Sequence, residues 1–235
     1  MTANIISSEL GTSTRDTTAG DERRGPFAVA VRRWLLIASP VLAGLFAVVG
    51  AAADPGAGIS GREMYELYVE NPDPLQFKSL GFHWSYSFWI APALLLAGYV
   101  RGRGAWLANI AGVLGFVGMT TLPGLLFVDY YDSAIGQLYG VDATVAVSEH
   151  MAATMWGVQA LVAPGMLGFM LGLPIAALAV WRAGLVRWWA PVAVLGGYAA
   201  FMFSNVMWWG CVITTVCFTV FAFAIAKGTS PRRTT

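Results

Sequence analysis

From Trp34 to Ala53 the chain carries no charged side chain, and neither do the runs Trp84 to Val100, Ala105 to Val128, Met151 to Trp181 and Trp188 to Ala226. A helix rises about 1.5 Å per residue, so a run of about 20 apolar residues matches the roughly 30 Å hydrocarbon core of a bilayer. Lipid offers no partner to peptide N–H and C=O groups, so each such run must close its own hydrogen bonds as a helix. The last run is about twice the length of one crossing and divides best near Asn205 to Gly210. The sequence therefore predicts an all-α polytopic membrane protein, a bundle of six transmembrane helices. Composition agrees, since only 11% of residues are charged, against about 25% in soluble domains.

The charges between the runs predict sidedness, because Lys and Arg near span ends collect on the cytoplasmic side. Arg23, Arg24, Arg32 and Arg33 flank the start of the first run, Arg101 and Arg103 separate runs two and three, and Arg182 and Arg187 separate four and five. Lys227, Arg232 and Arg233 follow the sixth. The alternate connections, 54–83 and 129–149, hold Arg62 and Lys78 among Asp54, Glu63, Glu66, Glu70, Asp73, Asp129, Asp132, Asp142 and Glu149. The cell inner membrane is the expected location, with both ends in the cytoplasm and an acidic outer face; a five-span count would leave the C-terminal cations outside. Residues 1–26 read as a disordered cytoplasmic tail, 27–228 as the membrane domain and 229–235 as a second cytoplasmic tail. Arg32-Arg33 followed by an apolar stretch and Ala51-Ala52-Ala53 has the outline of a cleavable export signal, but the run is long for one and reads as a signal-anchor helix.

In the first outer connection Ser60-Gly61-Arg62-Glu63 has the form of a capping box, and the helix it opens stops at Asn71-Pro72. Its carboxylates share a face, as in a helix lying on the outer membrane surface with its acids toward water. In the second, Asp132 is placed to cap a turn ending at Gly140, and Asp142 to cap a helix running through Glu149 and His150 into the fourth span. Pro164 and Pro174 kink that long span. The Gly165, Gly168, Gly172 series, like Gly112, Gly115 and Gly118 in the third, permits close approach of a neighbour.

No phosphate-binding loop, metal-ligand series or nucleophile elbow is present, and no nucleic-acid partner is indicated. Cys211 and Cys217 fall on different faces of one helix. Both histidines, His83 and His150, belong at the outer ends of spans two and four, level with Asp129 and Glu149. These four are an alternative divalent-metal set; otherwise no cofactor is expected. Aromatic residues crowd the same side: Trp84, Tyr86, Phe88, Trp89, Tyr130, Tyr131, Trp156, Trp208 and Trp209. An interfacial belt explains most of them; the sharper expectation is an outer-leaflet cavity whose ring faces attract a cationic intermediate. The spans hold Asn109, Gln159 and Asn205 but no ionisable group, which leaves only a neutral-solute pathway for transport. A non-catalytic accessory or assembly subunit requires no site at all. The bilayer is the expected partner, and small residues on the lipid face permit oligomers.

A charge-free six-span chain of this size, with carboxylates and aromatic residues gathered at one face, resembles the small multi-pass terpene cyclases that are unrelated to the UbiA prenyltransferases. The resemblance covers the plan of residues 34–227 and is one of arrangement rather than motif. It implies a membrane-bound enzyme of isomerase or lyase type that protonates an alkene or epoxide of a prenylated, lipophilic substrate and guides the carbocation to a ring. Such chemistry requires a carboxylic acid kept neutral by desolvation, for which Asp129, Glu149 and Glu63 are the candidates. Reporter fusions in the Arg101 and Arg182 connections are expected to report the cytoplasm; a periplasmic signal from either would disperse the predicted site.

Overall fold

The computed structural model describes residues 26–229, so nearly all of both predicted tails, and Arg23, Arg24, Arg232 and Arg233 with them, lie outside the described residues. Within them all regular structure is helical: α1 (Pro26–Ala53), α2 (Arg62–Glu70), α3 (Pro72–Ala97), α4 (Ala105–Leu125), α5 (Phe127–Tyr139), α6 (Val141–Thr154), α7 (Trp156–Arg182), α8 (Trp189–Phe203) and α9 (Trp208–Gly228). Four stretches among the described residues, Ala30–Ala53, Ala105–Tyr139, Trp156–Arg182 and Trp208–Gly228, are long and apolar enough to cross a membrane. They mark the chain as a multi-pass membrane protein. The remaining two predicted spans also form helices, but α8 is apolar and only 15 residues long, and α3 begins with the polar stretch Pro72–Ser79.

Close backbone approach organises the bundle. The helices α4 and α7 meet through the predicted glycines: a Cβ on Gly168 would fall 2.6 Å from Gly118 Cα, and one on Gly172 3.8 Å from Gly115 Cα. The same device joins α1 to α3, where a Cβ on Gly81 would lie 2.7 Å from Gly50 Cα. The helix α9 packs against α1 and α8, and α7 against α3 and α8, which closes the ring. Inside it Trp89, fully buried, meets Phe169, Tyr198, Phe201 and Phe218 at ring-centroid distances of 4.7, 4.9, 5.0 and 4.5 Å.

The two ends of the bundle differ. At one, Arg33 donates from Nε to Thr229 Oγ1 (3.2 Å) and from Nη2 to the Ala226 carbonyl (3.0 Å), tying the start of α1 to the end of α9. At the other, α4 runs on through Leu126 into α5, giving a rod of 35 residues, about 52 Å at helical rise and so much longer than a bilayer core. A polar cap of α2, α5, α6 and the first turns of α3 is built there.

Several local expectations are corrected. The cap of α2 is Gly61, at φ 72°, with no side-chain cap bond, so Ser60 does not form a capping box. The helix α2 rests on α5 and α6 and buries Tyr68. Asn71-Pro72 ends α2 as expected but also starts α3, with proline at the position where a missing N–H costs nothing. Asp132 lies within α5 rather than at a cap, and the helix through Glu149 and His150 breaks at Met155 instead of continuing into α7.

Adding a methyl group at the α4–α7 crossing should force the helices apart. Gly168→Ala is expected to destabilise by about 1–3 kcal/mol, read as a lower thermal midpoint in detergent, whereas Gly157→Ala, where nothing lies within 4 Å, should not lower it through packing. Equal midpoints for both variants would refute this packing.

Candidate functional site

Lys78 is one of only two lysines in the chain. Leu75, Lys78, Ser79 and Phe82 fall at helical spacing on one face of α3, and all four are buried. A buried ammonium needs a counter-charge, and α5 supplies it. Lys78 Nζ donates to Asp129 Oδ2 at 2.7 Å and to Tyr68 Oη at 3.0 Å. Ser79 Oγ donates to the same Asp129 oxygen at 2.6 Å. The side chains of Lys78 and Asp129 are 11% and 17% exposed. Tyr68 is held in turn: Ser133 Oγ donates to its carbonyl at 2.9 Å, and the Lys78 ammonium stands 4.8 Å from its ring centroid. Three cap elements thus converge on one ammonium. Burial pushes the Tyr68 phenol above its ordinary value, with Lys78 opposing. Burial likewise raises the carboxyl of Asp54, in the connection after α1, and Lys78 again opposes.

Beside this cluster, between α3 and the α4–α5 junction, lies a cavity of about 190 Å³ lined by Ser79, Leu80, His83, Trp84, Leu126, Phe127 and Tyr130. Ser79 and His83 are one helical turn apart, so the histidine lies next to the serine that holds Asp129. His83 Nδ1 is 3.0 Å from the Pro123 carbonyl oxygen. A carbonyl only accepts, so Nδ1 carries the hydrogen and Nε2 is left to take or give a proton. Trp84 and Phe127 meet the imidazole edge-on at 5.5 and 6.4 Å, and Phe127 meets Tyr130 at 5.8 Å. The cavity therefore combines an apolar aromatic wall, one imidazole and, behind Ser79, an ion pair.

The structure brings together His83, Trp84 and Tyr130 around the cavity and Asp129 behind it. The other predicted site residues stand elsewhere. Glu63 is exposed on α2, and Glu149 and His150 are exposed on α6. Tyr131, Trp156, Trp208 and Trp209 are exposed. Tyr86 stacks on Phe82 and meets Phe169 edge-on, and Trp89 belongs to the aromatic core. No three His, Cys, Asp or Glu side chains among the described residues gather as a metal-binding group, so the alternative set of His83, His150, Asp129 and Glu149 is not assembled. Lys78, Ser79 and Tyr68 were not anticipated; the available signal was a lone lysine in phase with Leu75 and Phe82 just before an uncharged run.

No family model, curated protein or solved structure matches this chain.

Removing one member of a buried pair strands the other. Lys78→Met is expected to cost about 3–5 kcal/mol, whereas the double variant Lys78→Met/Asp129→Leu should recover most of it. Thermal unfolding in detergent measures both; a double variant no more stable than Lys78→Met would show that the two charges are not coupled.

Proposed function

We propose that the chain crosses the cytoplasmic membrane six times with both ends inside, and that the cavity at His83, Trp84 and Tyr130 opens in the outer leaflet as the active site of an enzyme acting on a lipophilic substrate. The crossings are α1, the apolar part of α3, α4, α7, α8 and α9. What supports this topology is that Arg101, Arg103, Arg182, Arg187 and Lys227 lie in connections or in the last turn of a helix at the end of the bundle where Arg33 meets Thr229, while every described carboxylate lies between residues 54 and 149. The cap is then periplasmic. The shortened α8 packs on α7 and α9, and the polar start of α3 turns Leu75, Lys78 and Ser79 inward.

The observation that carries the functional reading is the placement of an aromatic cavity against an imidazole and a half-buried carboxylate. A prenylated substrate reaches such a cavity by lateral diffusion, which removes the need for a water-filled path. Proton-initiated cyclisation is the specific reaction we assign to it. His83, as imidazolium, gives the Nε2 proton to an epoxide oxygen or alkene carbon. The faces of Trp84, Phe127 and Tyr130 stabilise the resulting cation, helped by the negative charge of Asp129. Loss of a proton from the final cation to the same Nε2 restores the imidazolium, so the net change is an isomerisation. Asp129 thereby moves from proton donor, the role its position first indicated, to fixed counter-charge, because Lys78 and Ser79 occupy it. Glu63 and Glu149 are exposed and do not line the cavity.

The test is turnover of a prenylated epoxide by the purified protein in lipid nanodiscs. General acid catalysis contributes about 10²- to 10⁴-fold, so His83→Gln should lower the rate by that order, while Glu63→Gln and Glu149→Gln should leave it unchanged. Turnover undiminished in His83→Gln would remove the acid–base role. Tight binding of the substrate without conversion by the unaltered chain would instead point to a non-catalytic subunit.

A further inference from the structure

The opposite end of the bundle holds a second cleft, lined by Arg103, Trp181 and Arg182. It is created by an unusually close contact. Gly104, at φ 93°, brings the α3–α4 connection onto the last turn of α7, where a Cβ would collide with the Ala179 carbonyl and fall 3.4 Å from Ala183 N. Arg103, next to Gly104 in the chain, shares the cleft with Arg182. Both guanidiniums are exposed, and the connections that carry them, 98–104 and 182–188, contain no Asp or Glu. Two cations sharing one cleft repel each other unless an anion lies between them. A cleft of about 480 Å³ also has room for far more than a water molecule, whose share of liquid volume is about 30 Å³. Exposed Trp181 on the same cleft is the residue type that seats at headgroup depth.

We infer that Arg103 and Arg182 form a binding site for the phosphate of an anionic phospholipid headgroup, with Trp181 against the glycerol region. Guanidinium forks match phosphate oxygens in pairs, which an ammonium does not. Basic pockets between transmembrane helices on the cytoplasmic side have this ligand chemistry. Placing the site in the cytoplasmic leaflet rests on the six-span topology proposed above. The headgroup ties α4 to α7 at this end, as their glycine crossing does deeper in the bundle.

The experiment is native mass spectrometry of the full chain released from nanodiscs of equal phosphatidylglycerol and phosphatidylcholine. The unaltered protein should retain phosphatidylglycerol preferentially. Arg103→Gln/Arg182→Gln should reduce that preference roughly tenfold or more, each guanidinium contributing about a factor of five, while Arg187→Gln, outside the cleft, should not. A preference that survives the double variant, or is lost equally in Arg187→Gln, would overturn the site. Release of the lipid by millimolar inorganic phosphate would overturn it as a lipid site and leave a simple anion site. Sidedness is read separately, by a membrane-impermeant maleimide on Arg101→Cys in sealed vesicles. Labelling from outside overturns the cytoplasmic placement whatever the lipid result.

Discussion

A hydrocarbon environment supplies no hydrogen-bond partner, and the organisation of this protein follows from that constraint. The backbone of each apolar run closes on itself as helix, and side-chain hydroxyls inside the bundle close on backbone carbonyls. Thr214 donates to the Gly210 and Gly197 carbonyls at 2.9 Å, Ser85 to Ala43 at 2.8 Å and Tyr198 to Phe169 at 2.6 Å. Some of these bonds cross between helices, so satisfying a polar group and fixing a neighbour are one event. Because lipid tails are as apolar as leucine, helices gain little from hiding leucine from them, and association depends on close packing. Gly50 with Gly81 and Gly118 with Gly168 provide it.

Where the helices leave the apolar layer, a different interaction takes over. Lys78 and Asp129 pair at 2.7 Å, and Tyr68 and Ser79 add one bond each. Burial of such a pair is a weak source of stability compared with an apolar contact of equal volume, and its contribution is register. A slip of α5 along α3 would strand two charges. The pair therefore sets where α5 stands against α3, and with it the wall of the adjoining cavity at Phe127 and Tyr130.

The sequence made the membrane class and several breaks legible because charge is excluded from lipid on a scale of kilocalories. The end of α1 at Ala53 and the end of α2 before Pro72 fall where composition placed them, and the α8–α9 break at Ser204–Met207 overlaps the expected Asn205–Gly210. Helices that outlast the apolar layer were harder to read. A polar stretch such as Pro72–Ser79 is anchored as helix by Leu75, Lys78 and Ser79, the three of its residues that are buried, and no local pattern announces that. The cavity was legible in part: His83, Trp84 and Tyr130 were found by proximity to span ends. Lys78 was hidden because a lysine beside a span end is by default a solvated charge, and its partner is 51 positions away. Glu149 and His150 were grouped with Asp129 on depth alone, and depth does not specify which face of α6 carries them.

In the proposed topology the polar cap stands outside the bilayer on a bundle within it, and the α4–α5 rod crosses that boundary. Spin labels at Phe116 and Leu138, both exposed side chains on that rod, test it by power saturation in nanodiscs. The label at 116 should collide with oxygen dissolved in lipid, and the label at 138 with a water-soluble nickel chelate. Finding both labels in lipid, or both in water, would contradict the account.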